Sequence, residues 1–135
     1  MRSTSAILHD IETFQPLEDD WLALENLLQE LWQEEHPAEA LVPLFHLLER
    51  FPEDESAGVL WGVLHALEAY PDYEAELVDS LRRQPTELTL TMLRRIANAG
   101  QALVAGHPIN SLYEVVLAHP MASEEVKETA QDYLQ

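Results

Sequence analysis

The stretch that decides the fold is HLLERFP at positions 46–52, which recurs nineteen positions later as HALEAYP at positions 65–71. His, Leu, Glu and Pro are identical in the two copies, and an aromatic residue precedes each Pro. Apolar residues lie upstream of both copies, and acidic residues follow both. We interpret the pair as one helical unit used twice, and repeated helical units build recognition surfaces more often than catalytic pockets.

Prolines divide the whole chain into segments of about the length of one helix. A residue that precedes proline is disfavoured in the α region, so each proline predicts the end of a helix. Taken alternately, the spacings are 34, 33 and 35 residues, for Pro37 to Pro71, Pro52 to Pro85 and Pro85 to Pro120. A two-helix period of about 34 residues is typical of helical-hairpin arrays.

Apolar residues between the prolines recur at helical spacing, and no segment shows convincing strand alternation. A first helix is predicted over about 18–35, with Trp21, Leu24, Leu28, Leu31 and Trp32 on its core side. Further helices are predicted to end near Pro52, Pro71, Arg83 and Asn98, and the last two to begin at Ser111, through a capping box, and at Ser123. Residues 1–16 are compatible with a loose arm or a short helix. The sequence therefore predicts one all-α domain over residues 1–135, a right-handed array of about six to seven helices with HEAT-like or tetratricopeptide-like packing.

The charge of the chain is strongly negative and unevenly distributed. The net charge is −18, of which residues 1–79 carry −17 and residues 80–135 carry −1. Such a field repels nucleic acid and anionic membranes, and it attracts a basic protein. Acidic surfaces also keep proteins soluble, so the charge by itself leaves both interpretations open.

Composition places the chain among ordinary globular proteins. Hydrophobic residues make up 47% of the chain, and there is no cysteine, which excludes disulfides and suits a reducing compartment. Residues 1–10 lack the apolar core of a signal peptide, and no apolar run is long enough to span a bilayer. We therefore predict a cytoplasmic protein that does not act at a membrane.

Residue patterns that carry catalysis are not found. The sequence has no glycine-rich phosphate loop, no His-Glu-x-x-His and no Gly-x-Ser-x-Gly. His46 with Glu49 and His65 with Glu68 are i, i+3 pairs, but di-metal bundles use the reverse order, Glu-x-x-His. A local ion pair or hydrogen bond is the favoured interpretation. We predict no enzymatic activity, no cofactor, no metal and no small-molecule substrate.

One helix flank has the composition of a protein-binding surface. Trp61, His65 and Glu68 share this flank, and an aromatic residue beside carboxylates is typical of hot spots that bind Arg or Lys. The alternative is that Trp61 belongs to the core and that Glu68 pairs with Arg94 or Arg95. The predicted partner-binding residues are Glu49, Glu53, Asp54, Glu55, Trp61, His65, Glu68, Asp72 and Glu74. The second choice is the acidic first helix, with Asp19, Asp20, Glu34 and Glu35.

A further pattern lies within residues 59–101, about a third of the chain, and consists of Glu68, Tyr70 or Tyr73, Leu93, Arg95, Ile96 and Asn98. In these residues the segment resembles the all-helical Immunity protein 30 family of bacterial polymorphic-toxin and contact-dependent growth inhibition systems. Ala97 departs from the pattern, which has a larger apolar residue there, and 102–135 matches less clearly. The resemblance implies a small cytoplasmic protein that binds and neutralises a toxin domain. Its motif residues are compatible with a functional role and with a structural one, in which Arg95 against Glu68 fixes the helix register and Asn98 caps the helix.

Two functions from different classes follow. The first is an immunity protein that binds and neutralises a cognate basic toxin C-terminal domain, often a nuclease, through its acidic surface. The alternative is a helical-repeat interaction adaptor without a toxin partner. An enzyme or a metal-binding bundle is the third hypothesis.

Overall fold

Eight α-helices account for most of residues 2–34, 37–52, 56 and 58–134, which are the residues that this computed structural model describes. They are α1 Thr4–Thr13, α2 Leu22–Trp32, α3 Leu41–Arg50, α4 Val59–Glu68, α5 Tyr73–Arg83, α6 Glu87–Asn98, α7 Ile109–Leu117 and α8 Glu124–Tyr133. Short 3₁₀ turns at Leu17–Asp19 and Ala38–Ala40 precede α2 and α3. The prediction of an all-α array is confirmed, with one or two helices more than the expected six to seven.

The helices form two layers. In one layer α1, α3, α5 and α7 pack against one another in that order, and in the other α4 packs on α6 and α6 on α8. Consecutive helices α1 with α2, α3 with α4, α5 with α6 and α7 with α8 pack across the layers as hairpins. Each hairpin therefore covers the apolar face of the next, as in helical-repeat proteins.

The proline period corresponds to these hairpins. Pro16, Pro52, Pro85 and Pro120 each lie in the connection between the two helices of a hairpin. The nineteen-residue repeat has a different meaning, because it relates α3 to α4, the two helices of one hairpin. The two copies therefore belong to different layers of the array.

A single apolar cluster runs through the array. It extends from Ile7 in α1 to Ala130 in α8. The predicted core stripe of α4 is confirmed, because its four members are fully buried: Leu60, Val63, Leu64 and Leu67. Residues 4–13 form a helix rather than a loose arm, and that helix packs on α2 and α3.

Of the two helix starts predicted near the C-terminal end of the chain, one is confirmed and one is wrong. Ser123 begins α8, and its hydroxyl accepts a hydrogen bond from the Val126 amide at 3.2 Å, as predicted. The predicted start at Ser111 is wrong. Helix α7 begins two residues earlier at Ile109, and the Ser111 hydroxyl instead donates to the Pro108 carbonyl at 2.6 Å.

A small hairpin, which the sequence did not predict, leads into α7. Strands β1 Leu103–Val104 and β2 His107–Pro108 pair antiparallel. Ala105 (φ 48°) and Gly106 (φ 83°) connect the strands in left-handed conformations. Each strand has two residues, which is too short for alternation to be recognised in a sequence.

Candidate functional site

The structure divides the predicted partner-binding residues into three groups. Trp61, His65 and Asp72 are exposed. Glu49, Glu68 and Glu74 accept hydrogen bonds from other parts of the fold. The predicted acidic turn Glu53, Asp54 and Glu55 lies outside the described residues.

Glu49 holds α3 against α5. Its carboxylate accepts from the Ser80 hydroxyl at 2.7 Å and from Arg83 Nη2 at 2.9 Å, and its side chain is only 11% exposed. The hydrogen bond to Glu49 raises the pKa of the Arg83 guanidinium. Glu49 is thus used within the fold and presents little surface to a partner, unlike the role predicted for it.

Glu68 has the corresponding position in the second layer. Its carboxylate accepts from Arg95 Nε at 2.8 Å and Nη2 at 3.1 Å, which joins α4 to α6. The alternative interpretation, in which Glu68 pairs with Arg95, is confirmed. The repeated Glu therefore binds an arginine on the next helix of its own layer in both copies.

The repeated histidines differ from one another. His46 Nδ1 lies 3.3 Å from Glu12 Oε1 of α1, so the predicted local pair of His46 with Glu49 is wrong. His65 Nδ1 lies 4.0 Å from Glu68 Oε1, and its side chain is 61% exposed. Among the described residues no three His, Asp or Glu side chains lie close enough together to hold a metal ion.

The outward face of α4 is exposed and carries no Asp, Glu, Lys or Arg. Trp61, Gly62 and His65 lie on it, exposed Ala69 follows at the C-cap, and the ring centroids of Trp61 and His65 are 5.9 Å apart. Trp61 is 39% exposed, so the interpretation of Trp61 as a core residue is wrong. Apart from its chain neighbours and the backbone of its own helix, no described atom lies within 4 Å of the position that a Gly62 side chain would take, so no other described element packs there.

A groove of about 300 Å³ adjoins this face, between the C-terminal ends of α2 and α4. It is lined by Trp32, Glu34, Pro37, His65, Ala66, Ala69 and Tyr70. Trp32 was predicted to be a core residue, which is wrong, because it is 36% exposed. The sequence held a signal for this, since Trp32 is one position past Leu31 and therefore turned about 100° from the buried stripe.

The second-choice acidic residues do not form one site. Asp19 and Asp20 are exposed in the connection between α1 and α2, and the Asp20 carboxylate accepts from the Leu22 amide at 3.0 Å. Glu34 lies at the other end of α2, where it accepts from the Thr4 hydroxyl. Glu35 lies outside the described residues. Exposed Leu22, with Asp19, borders a separate cleft of about 470 Å³.

Comparison of the chain with protein-family models, with curated proteins and with solved structures finds no match in any of the three. The resemblance to Immunity protein 30 therefore stays a prediction. None of the helices in the described parts of the chain is long and apolar enough to cross a membrane.

Proposed function

We propose that this protein binds a basic protein domain in a stoichiometric complex, and that it does so as an immunity protein that neutralises a toxin. The observation that carries the proposal is the aromatic face of α4, with Trp61 and His65 exposed side by side, on a chain of net charge −18.

The aromatic face supplies the centre of an interface. Interface hot spots are enriched in tryptophan, and they contribute most when the partner covers them and excludes water. Trp61 is 39% exposed in the free protein, so a partner has apolar surface to bury. Asp72 is exposed beyond the C-terminal end of α4, as the N-cap of α5, and is the carboxylate that we assign to the rim of the interface.

The charge selects the partner. Interfacial charges mainly determine specificity and the association rate, because the long-range field steers a partner of opposite sign. A net charge of −18 favours a basic domain and disfavours nucleic acid, whose phosphates carry the same sign.

The adaptor hypothesis is the second candidate, and the two-layer array favours it equally, since stacked helical hairpins are general scaffolds for protein binding. The two functions differ in one consequence. An immunity protein abolishes the toxicity of its partner, whereas an adaptor binds a partner without changing whether the cell survives.

The test is co-expression with the C-terminal domain encoded by the reading frame immediately upstream, scored by growth and by co-purification. We expect the wild-type protein to restore growth and to co-purify in equal amount. Trp61→Ala and Asp72→Lys should each reduce both readouts, while the matched control Glu114→Lys, on the exposed side of α7, should not.

Thermal melts of the same variants separate binding from folding. Loss of protection by Trp61→Ala with an unchanged melting temperature supports the proposed surface. Co-purification without growth rescue would favour the adaptor hypothesis. Full protection by both variants would contradict the assignment of the α4 face.

A further inference from the structure

We propose that the groove between α2 and α4 binds an arginine side chain of the partner. This inference rests on the proposed function and adds the chemistry of one contact to it. The inference is based on the residues that line the groove. Two of them, His65 and Glu34, are among the partner-binding residues predicted from the sequence.

The walls of the groove suit a flat cation. Trp32 and His65 are both partly exposed at its edges, and the small side chains of Ala66 and Ala69 leave room between them. A guanidinium group stacks on aromatic faces, where the ring quadrupole attracts its charge. The volume of about 300 Å³ is at the lower end of small-molecule sites, which suits one long side chain.

The groove also has a negative electrostatic environment. Glu34 lines it, and the described hydrogen bond to its carboxylate comes from the neutral Thr4 hydroxyl. Arg2, which lines a neighbouring cleft together with Glu34, forms its ion pairs with Asp10 and Glu30. The helices α2 and α4 both end at the groove, at Trp32 and Glu68. A helix C-terminus carries roughly half a negative charge, so both ends attract a cation.

One wall is held in place before a ligand arrives. The Tyr70 hydroxyl donates to the Pro37 carbonyl at 2.9 Å, which ties the end of α4 to the segment before α3. A preformed wall reduces the ordering cost of binding.

Other occupants fit less well. A second copy of this chain also has a net charge of −18, and the repulsion between two such chains opposes self-association. An apolar side chain would leave the negative charge of Glu34 without an opposite charge, since its bond to Thr4 is to a neutral hydroxyl. Lysine carries the charge but lacks the planar group that stacks on an indole and binds a carboxylate through two nitrogens.

The first experiment uses the three indole N–H signals in NMR spectra of the intact protein. The probe is an acetylated, amidated Gly-Ser-Arg-Ser-Gly peptide, with the same peptide carrying citrulline as the uncharged control of equal shape. We expect a saturable shift of the Trp32 signal with arginine, and none of Trp21, which is buried at 8% exposure. Citrulline should bind about fivefold more weakly or not at all. Equal shifts with both peptides, or no saturable shift of Trp32, would overturn the inference.

Matched variants test the charge. Glu34→Gln should weaken arginine-peptide binding about fivefold, since it removes the carboxylate and keeps the side-chain shape. Glu114→Gln removes the same charge from α7 and should leave the affinity unchanged. Trp32→Leu, measured by calorimetry, should also weaken binding. Equal losses for Glu34→Gln and Glu114→Gln would show that only the overall charge matters, and would overturn the inference.

The failure of this inference and that of the proposed function are distinguishable. If a basic domain is neutralised but its affinity is unchanged by Trp32→Leu and Glu34→Gln, the groove inference is wrong and the proposed function stands. If the arginine peptide binds as expected and no basic domain is neutralised, the proposed function is wrong and the groove inference stands.

Discussion

At the scale of single residues, Tyr113 has a buried hydroxyl that finds no partner in the described part of the chain. The residue is 1% exposed, and its oxygen has no hydrogen-bond partner among the described residues. An unsatisfied buried polar group lowers stability, so Tyr113→Phe should raise the free energy of unfolding by up to about 1 kcal/mol. Urea titration of both proteins measures this. Loss of stability in the Phe variant would indicate that the hydroxyl has a bond in solution.

The same residue predicts a pH dependence. Burial raises the pKa of Tyr113 from its ordinary 10.0 to about 12. The folded state retains the phenol proton more tightly than the unfolded state. Ionisation of Tyr113 therefore leaves the free energy of unfolding unchanged below pH 10 and lowers it as the pH rises from 10 to 12. Melting temperatures across this window should fall less in Tyr113→Phe than in the wild type. Parallel curves would contradict the assignment.

Ala105 has a strained backbone. Its φ of 48° lies in the left-handed region, and the following Gly106 is left-handed as well, a pattern that favours Asn-Gly in two-residue hairpin turns. Ala105→Asn should therefore raise the free energy of unfolding by about 0.5–1 kcal/mol. Ala102→Asn, at an exposed position before β1, is the control and should change little. A destabilised Ala105→Asn variant would contradict the turn geometry.

At the scale of the elements, side chains from one helix satisfy the end of another. The Arg50 guanidinium on α3 donates to the carbonyls of Ile11 and Phe14 at the C-terminal end of α1. His119, after α7, lies 2.7 Å from the Arg82 carbonyl near the end of α5. Carbonyls at helix ends lack partners within their own helix, so these contacts join neighbouring helices of one layer.

The two copies of the repeated Glu should differ in their contribution to stability. Glu49→Ala leaves the fully buried Ser80 hydroxyl without its acceptor, which should cost about 1–3 kcal/mol. Glu68→Ala breaks a more exposed pair with Arg95 and should lower the melting temperature less. Glu49→Gln is the control, since it keeps an acceptor for Ser80. A larger loss for Glu68→Ala than for Glu49→Ala would contradict this order.

At the scale of the whole molecule, the charge should govern how fast a partner arrives. The net charge of −18 attracts a basic domain over long distances, and dissolved salt weakens this attraction by screening it. The association rate should therefore fall steeply between low and physiological ionic strength, whereas the dissociation rate changes less. Stopped-flow measurements at several salt concentrations test this. An association rate that is independent of salt would remove the electrostatic argument.

The sequence by itself determined the helices and their buried faces. Prolines and apolar spacing act within about one or two turns of the chain, so the stripe of Leu60, Val63, Leu64 and Leu67 and the start of α8 at Ser123 could be read locally. The two-strand hairpin was not predicted because its strands are too short to show alternation. The start of α7 was predicted at Ser111, but the hairpin ends at Pro108 and the helix begins directly after it, at Ile109.

Only the tertiary structure decided which surface remains for a partner. Glu49 and Glu68 look like surface carboxylates in the sequence, but their arginines lie 34 and 27 positions away and reach them only when helices of one layer pack. Trp32 and His65 border one groove because the ends of α2 and α4 meet in space. Contacts between distant positions depend on the packing of whole helices, and neither periodicity nor charge along the chain specifies them.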